Sequence, residues 1–473
     1  MKKRIFNIYI RLLLIFLFLA IVFYLIGGEQ IKSQEEASPE FLPDGVLQEL
    51  SEGITVQQKF TVHTDTLEKI TFLIGTYDHS NRGLWEVTLT DETTGEELEK
   101  KAIDTSLLLN NTYYDWTLEY PVNNAKGKTY SFLVGSECPA GEAPTLYYSS
   151  LKTDSGKSLS INGDLQEFQL CFRYAGEHMF LFGKFFWLIA IVLLLLIVLD
   201  AAWTIWCFQK GKNTFILVLM SVWEKYHFLI KQLVTRDFKT KYKRSVLGYL
   251  WSFLNPLLTM AVQYIVFSTI FRSDIKNFPV YLLTGIILFN FFSEAVGQGL
   301  ISIVINSALI TKVYVPKYIY PSTKVISCAI NLLISIIPLL AVTILTGTPL
   351  TPALLLLPFV LVCLLIFCIG MSLALSSAMV FFRDTQYLWG IASLIWTYAT
   401  PLFYPESIIP EQFQFILKIN PMYYFVRFAR TILIDGVSPA PPLYAYCLIS
   451  AGLALVIGGT VFKKSQDKFV LYI

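Results

Sequence analysis

The sequence predicts a polytopic α-helical membrane protein of about eight spans, the last six forming a core, with an all-β domain placed after the first span. Three observations lead there. Of the 473 residues 54% are hydrophobic and only 15% charged, where a soluble chain carries about a quarter charged residues. The apolar residues gather in runs that approach the ~20 needed to cross hydrocarbon. The charge is also divided: residues 28–180 hold 25 of the 35 acids but 11 of the 37 bases. An acidic, water-facing segment therefore interrupts a basic membrane chain. Nucleic acid is a poor partner for the basic part, because its charges flank apolar runs.

Residues 1–27 open with Lys2, Lys3 and Arg4 ahead of an apolar stretch and read as an N-terminal membrane anchor. A cleaved signal peptide is the alternative, but Leu25-Ile26-Gly27-Gly28 has no convincing small-x-small cleavage site. Residues 28–180 follow as the β-domain. Short runs alternate apolar and polar residues, as in Thr55–Thr61, Lys69–Ile74, Leu84–Leu89 and Tyr130–Val134, between turn signals such as Asn81-Arg82-Gly83 and Ala125-Lys126-Gly127. Such spacing predicts a β-sandwich. The layout is similar to the jelly-roll sandwiches that bind carbohydrate. Tyr77, Asp78, Asn81, Arg82 and Trp85, with Trp116 in a second aromatic cluster, are the candidates for stacking on and bonding a sugar. The plainer reading makes Trp85 and Trp116 core residues of the sandwich. Cys138 and Cys171, the two cysteines of this domain, could form a disulfide. The other five cysteines lack metal-ligand spacing, and the four histidines are dispersed, so a metal site is not expected.

Residues 181–208 supply the second span, 209–249 a cytosolic amphipathic helix, and 250–473 six more spans. The apolar cores lie near 8–27, 184–207, 250–272, 279–299, 324–346, 352–381, 387–404 and 443–462. Lys and Arg mark inner ends, and nine bases against Glu224 and Asp237 place 209–249 inside. Both termini are then cytosolic and residues 28–180 extracytoplasmic. The segment 405–442 breaks the pattern, with Lys418, Arg427 and Arg430 on the outer side.

Enzyme signatures are weak. Ser155-Gly156-Lys157-Ser158 ends like a phosphate-binding loop, but Leu151 stands where the first glycine is needed. Within the spans only Asp200 and Glu294 are acidic, too few for paired acid–base chemistry. Glu294 is the deeper of the two and is costly to bury unpaired, so a pore or partner-helix role is expected.

From Val222, apolar positions 222, 226, 229, 230, 233, 234 and 238 keep helical spacing, with Lys225, Lys231, Arg236 and Lys239 opposite. This basic amphipathic helix suits the inner membrane surface. The blocks that follow are more specific: Arg236-Asp237-Phe238-Lys239 with Asn255-Pro256-Leu257, Asn306 to Pro316, Phe381-Phe382-Arg383-Asp384 with Pro401 to Pro405, and Asn420-Pro421 with Tyr423, Tyr424 and Arg427 or Arg430. In this order they resemble type-two ABC exporter permeases for polysaccharides, teichoic acids and O-antigens, over roughly residues 220–473.

The resemblance implies a transporter subunit rather than an enzyme. Two copies would form a homodimer around a conduit in the cytoplasmic membrane, among membrane lipid. Two ABC ATPase subunits would bind beneath and hold the ATP and Mg, with no cofactor in this chain. Arg236, Asp237, Lys239, Lys312, Pro316, Arg383 and Asp384 would couple to those subunits. Lipid-linked polysaccharide would be the substrate. Phe289, Phe292, Glu294, Trp389, Trp396, Tyr398, Tyr404, Tyr423 and Tyr424 would line its path, unless the aromatic residues form only an interfacial belt. An exporter of a small lipid or drug, or a membrane-anchored surface sensor, are the competing readings.

Overall fold

The computed structural model describes residues 2–38, 41–77, 81–150, 158–212, 214–242, 247–248, 250–271, 275–312 and 315–472. It divides into two compact units: residues 32–184, and residues 1–31 with 185–473. Asp78 lies outside the described residues, as do Lys243 and Val313-Tyr314.

The smaller unit is the expected sandwich. One antiparallel sheet runs Ser33–Ala37, Phe172–Met179, Thr66–Gly75, Thr145–Ser149, Gln169–Leu170, with Gly45–Val46 and Thr112–Asn123 attached. The other runs Asp164–Gln166, Leu159–Ile161, Thr55–Thr61, Thr129–Ser136, Leu84–Asp91, Glu96–Asp104. Strand alternation does what it promises: along Thr55–Thr61 every second side chain is buried. Phe60, Phe72, Trp85, Trp116, Tyr130 and Phe132 are fully enclosed between the sheets. Burying rings of this size, at about 25 cal/mol per Å², is what holds so small a unit together.

That larger unit, with one short helix of the β-domain counted in chain order, contains α1 (Lys2–Gly27), α3 (Phe186–Gln209), α4 (Phe215–Tyr242), α5 (Leu250–Phe271), α6 (Phe278–Ile305), α7 (Ser307–Ile310) and α8 (Ile319–Leu345). It continues with α9 (Leu357–Phe381), α10 (Thr385–Ala399), α11 (Gln414–Ile419), α12 (Pro421–Arg430), α13 (Pro441–Ser465) and α14 (Phe469–Tyr472); α2 (Leu181–Lys184) closes the β-domain. Among the described residues seven helices are long and apolar enough to cross a membrane: α1, α3, α5, α6, α8, α9 and α13.

The crossing expected at 387–404 is shared between a short helix and the chain that follows it, since α9 ends and α13 ends on the same layer as α4. Its helix, α10, has 15 residues, a rise of roughly 22 Å against a hydrocarbon core of ~30 Å. Pro401 and Pro405 stop it, since proline cannot continue the backbone ladder. The chain then turns through short helical pieces into α12, whose Met422, Phe425, Val426, Phe428 and Ala429 are buried in the bundle core. Segment 405–442 is thus partly folded into the bundle, which is why its arginines defy a rule written for free loops. Helix α6 is the centre, with 72% of its most apolar window buried, against 6% for α3. Helices α9 and α13 cross at glycine: a Cβ on Gly458 would lie 1.9 Å from the Gly370 carbonyl oxygen, so only small residues permit this approach.

Candidate functional site

Helix α4 carries the amphipathic pattern as expected. Tyr226 and Leu233 are buried, with Val222, Leu229 and Ile230 packed beside them, against Val315, Ile319, Tyr320, Val380, Phe462 and Phe469. Lys225, Lys231 and Lys239 are exposed on the other face. Two ion-pair systems tie this helix to the bundle. Asp237 Oδ2 lies 3.0 Å from Lys324 Nζ at the start of α8, and Arg236 Nη2 lies 3.1 Å from Asp237 Oδ1. The same Arg236 nitrogen donates to Asn306 Oδ1 at 3.4 Å, where α6 ends. One turn further on, Lys241 Nζ meets Glu294 Oε1 of α6 at 2.5 Å. Helix α4 is therefore joined to α6 and α8 by charges as well as by apolar contact.

The other coupling candidates lie around this layer. Lys312, Arg383 and Asp384 are exposed and Pro316 is half-buried. Asp384 stands at the N-cap of α10, but its side chain makes no capping bond. Lys317, just ahead of α8, donates to the Gln466 carbonyl at 2.5 Å and ties that turn to the end of α13.

The aromatic path candidates have a different fate. Phe289 and Phe292 are buried inside the helical unit, and Phe292 sits edge-on to Trp396 at 5.0 Å and Trp389 at 5.7 Å. Within one copy these four rings pack on one another, because α6 is surrounded by neighbouring helices. Glu294 is not a lone acid, since Lys241 neutralises it. Tyr398 is 64% exposed, while Tyr404 donates to its carbonyl at 2.6 Å.

Tyr423 and Tyr424 belong to a clasp. Tyr423 Oη donates to Glu406 Oε2 at 2.8 Å and accepts from Arg427 Nη1 at 2.7 Å. Tyr424 Oη donates to the Lys418 carbonyl at 2.7 Å, and its ring stacks on Tyr446. The Asn420 amide donates to the Ala399 carbonyl at 3.1 Å and to Thr400 Oγ1 at 2.8 Å, and accepts from Trp396 Nε1 at 2.6 Å and the Met422 amide at 3.0 Å. Arg430 is buried, its guanidinium donating to the carbonyls of Pro401 at 2.7 Å, Leu402 at 3.1 Å and Tyr281 at 3.1 Å over the Tyr281 ring. A buried cation held by carbonyls and a ring face fixes the loop after α10 to the start of α6. The sequence offered Asn420 only within a motif and Arg430 as a motif residue and an outer-side charge, and gave Tyr281 no role. Lys241 entered only among the nine bases of 209–249, and Lys324 was given no site role.

In the β-domain the surface candidates divide. Tyr77 is 47% exposed and Arg82 is exposed, but Asn81, Trp85 and Trp116 are buried. The strand parity turns both indoles inward, so neither can stack on a sugar. Trp116 Nε1 is spent on Glu99 Oε1 at 3.0 Å. No disulfide joins Cys138 to Cys171. Cys138 packs in the main sandwich core beside Thr105, whereas Cys171 sits in a separate cluster with Phe41 and Leu73. The outward face of the first sheet carries Asp115, whose carboxyl the Lys69 ammonium at 2.6 Å holds below the usual carboxylate range, helped by the Thr71 hydroxyl.

Comparison with known proteins agrees with the helical layout. The ABC-2 type transporter family matches residues 228–434. An O-antigen export system permease protein RfbA of Myxococcus xanthus is 32% identical over 248 residues, 52% of this chain and 95% of its own length. One of Klebsiella pneumoniae is 29% identical over 259 residues, 53% of this chain and 98% of its own length. These relatives are used almost whole, so they have no room for a domain the size of residues 32–184. With its amphipathic entry helix, its bundle centred on α6 and an all-β domain as an addition, this multi-pass membrane chain belongs to the ABC-2 type transporter family.

Proposed function

We propose that the chain is the membrane-spanning subunit of an exporter that moves a lipid-linked cell-surface polysaccharide across the cytoplasmic membrane. The cargo would be an O-antigen, teichoic acid or capsule-like glycan. The observation that carries this reading is the alignment with two O-antigen export permeases over 95–98% of their length.

In this reading a homodimer forms the conduit, and two separate ATPase subunits bind ATP and Mg beneath it. Both termini face the cytosol and the β-domain faces outward, where it holds emerging glycan or a surface partner. The ATPase grips the exposed basic face of α4 with Lys239, Lys312, Arg383 and Asp384. When nucleotide draws the ATPases together, α4 moves and pulls α8 through Asp237–Lys324 and α6 through Lys241–Glu294. A two-state shift of packed helices then opens the path. The clasp of Asn420 and Arg430 keeps the far part of the bundle in register while this happens.

The test is reconstitution of the chain with its ATPase in vesicles. ATP-dependent movement of labelled lipid-linked glycan is the expected result. ATPase activity with no glycan movement, or movement without ATP, overturns the proposal.

A further inference from the structure

We propose that the cavity between α5, α6 and α8 is a binding site for one uncharged sugar unit, held within a single subunit. This rests on the export reading and adds to it a place where the cargo is gripped. The cavity has a volume of about 280 Å³, the space of about nine waters at ~30 Å³ each. That suits a single pyranose rather than a length of polymer.

Its walls are unusual for apolar spans. Three amides converge, Asn255 from α5, Asn290 from α6 and Asn331 from α8, beside the Lys241–Glu294 pair. Helix α6 is otherwise the most enclosed span, yet Asn290 is exposed and the Glu294 side chain is 37% exposed, both toward this cavity. Polar side chains in hydrocarbon are costly and are found facing water-filled or functional spaces. Each amide both donates and accepts, which is what a ring of hydroxyl groups requires. Trp251 adds an indole to the wall, an apolar surface for the C–H face of a sugar.

Charge decides between a sugar and a phosphate. Lys241 is already matched by the Glu294 carboxylate at 2.5 Å. An incoming phosphate would meet that carboxylate and would have to break the pair. A neutral polyol meets only amides, hydroxyls and the outer lone pairs of the ion pair. Because Lys241 lies on α4, the same motion that would drive export would also unmake one wall of the site and release what it holds.

The experiment uses the full chain in lipid nanodiscs and methyl glycosides of glucose, galactose, mannose and N-acetylglucosamine as probes, read by saturation-transfer NMR. At least one glycoside is expected to bind, and Asn290→Leu and Asn255→Leu are each expected to weaken it tenfold or more. Both asparagines are exposed, so these changes spare the packed core; an unchanged unfolding midpoint verifies that. The site is overturned if no glycoside binds the wild-type chain, if both variants bind as the wild type does, or if inorganic pyrophosphate displaces the sugar. Glycan export by the same preparation with its ATPase is measured in parallel. Export without glycoside binding removes the site and leaves the exporter standing; binding without export does the reverse.

Discussion

In residues 32–184 the bulky apolar side chains turn inward, so that Trp85, Trp116, Tyr130, Phe60 and Phe132 are all enclosed. In α1 and α3 they turn outward: Phe18 is 65% exposed, and Leu188 and Trp203 are about as open. The β-domain closes its core on itself because water surrounds it. The helices leave their apolar faces for lipid, which already satisfies such surface, and keep specificity in what is polar. The ion pairs show the same contrast. Those of the β-domain, such as Lys59–Glu92 and Lys100–Glu86, lie at its surface and contribute little. In the helical unit Lys241 and Glu294 are as open, at 40% and 37%, but Asp237 and Lys324 are only 12% and 14% exposed. What teaches most is therefore where each unit spends its hydrogen bonds.

The contrast breaks most visibly at Arg430. Replacing it with Met takes a charged donor from the carbonyls of Tyr281, Pro401 and Leu402, at about 1–3 kcal/mol for a carbonyl left without a partner; Pro401 keeps the Tyr281 hydroxyl at 3.2 Å. Arg430→Met should lower the unfolding midpoint in detergent more than any substitution below, and an unchanged midpoint removes the clasp. Next comes Gly458→Ala, which places a methyl against the Gly370 carbonyl. A loss of roughly 1–3 kcal/mol is expected, seen as a lower midpoint with the β-domain untouched. Then Asp237→Asn should cost about 1–2 kcal/mol, less than the 3–5 of a fully buried pair. A double-mutant cycle with Lys324→Met should return a favourable coupling between the two; additive effects would show that α4 is held by its apolar face alone.

The smallest effect is the pH dependence of the β-domain. The Thr93 hydroxyl holds the Asp91 carboxyl below its ordinary range, and Lys69 does the same for Asp115. Carboxyls depressed in the fold lend stability that is complete above the unfolded pKa, about 3.9 for aspartate. That contribution is lost as pH falls through the lower folded values. Acidification from neutral to below that range should lower the midpoint of the β-domain transition, and Lys69→Met should shrink the drop. A midpoint that rises on acidification contradicts the assignment.

How far the sequence could be read follows from the same contrast. Hydropathy alone located α1, α3, α5, α6, α8, α9 and α13, because lipid demands an unbroken apolar run. The period of α4 was equally legible. The short α10 was not, since Tyr387 to Tyr404 is apolar enough to span and only the prolines stop the helix. Strand parity hid the inward direction of Trp85 and Trp116: alternation gives two faces without saying which is the core. The partners of Glu294 and Asp237 lie 53 and 87 positions away, and only the folded bundle brings Lys241 and Lys324 to them. Arg430 looked like an outer-loop charge until its carbonyls were in view.

Asn420 has one more property. Asparagine ages by attack of the next residue's backbone nitrogen on the side-chain amide, giving a cyclic imide and then aspartate. Here the next residue is Pro421, whose nitrogen has no proton to lose. An amide whose two donors and two acceptor contacts are all engaged, and which aspartate could not replace, is thus shielded by its neighbour from the commonest chemical route to that replacement.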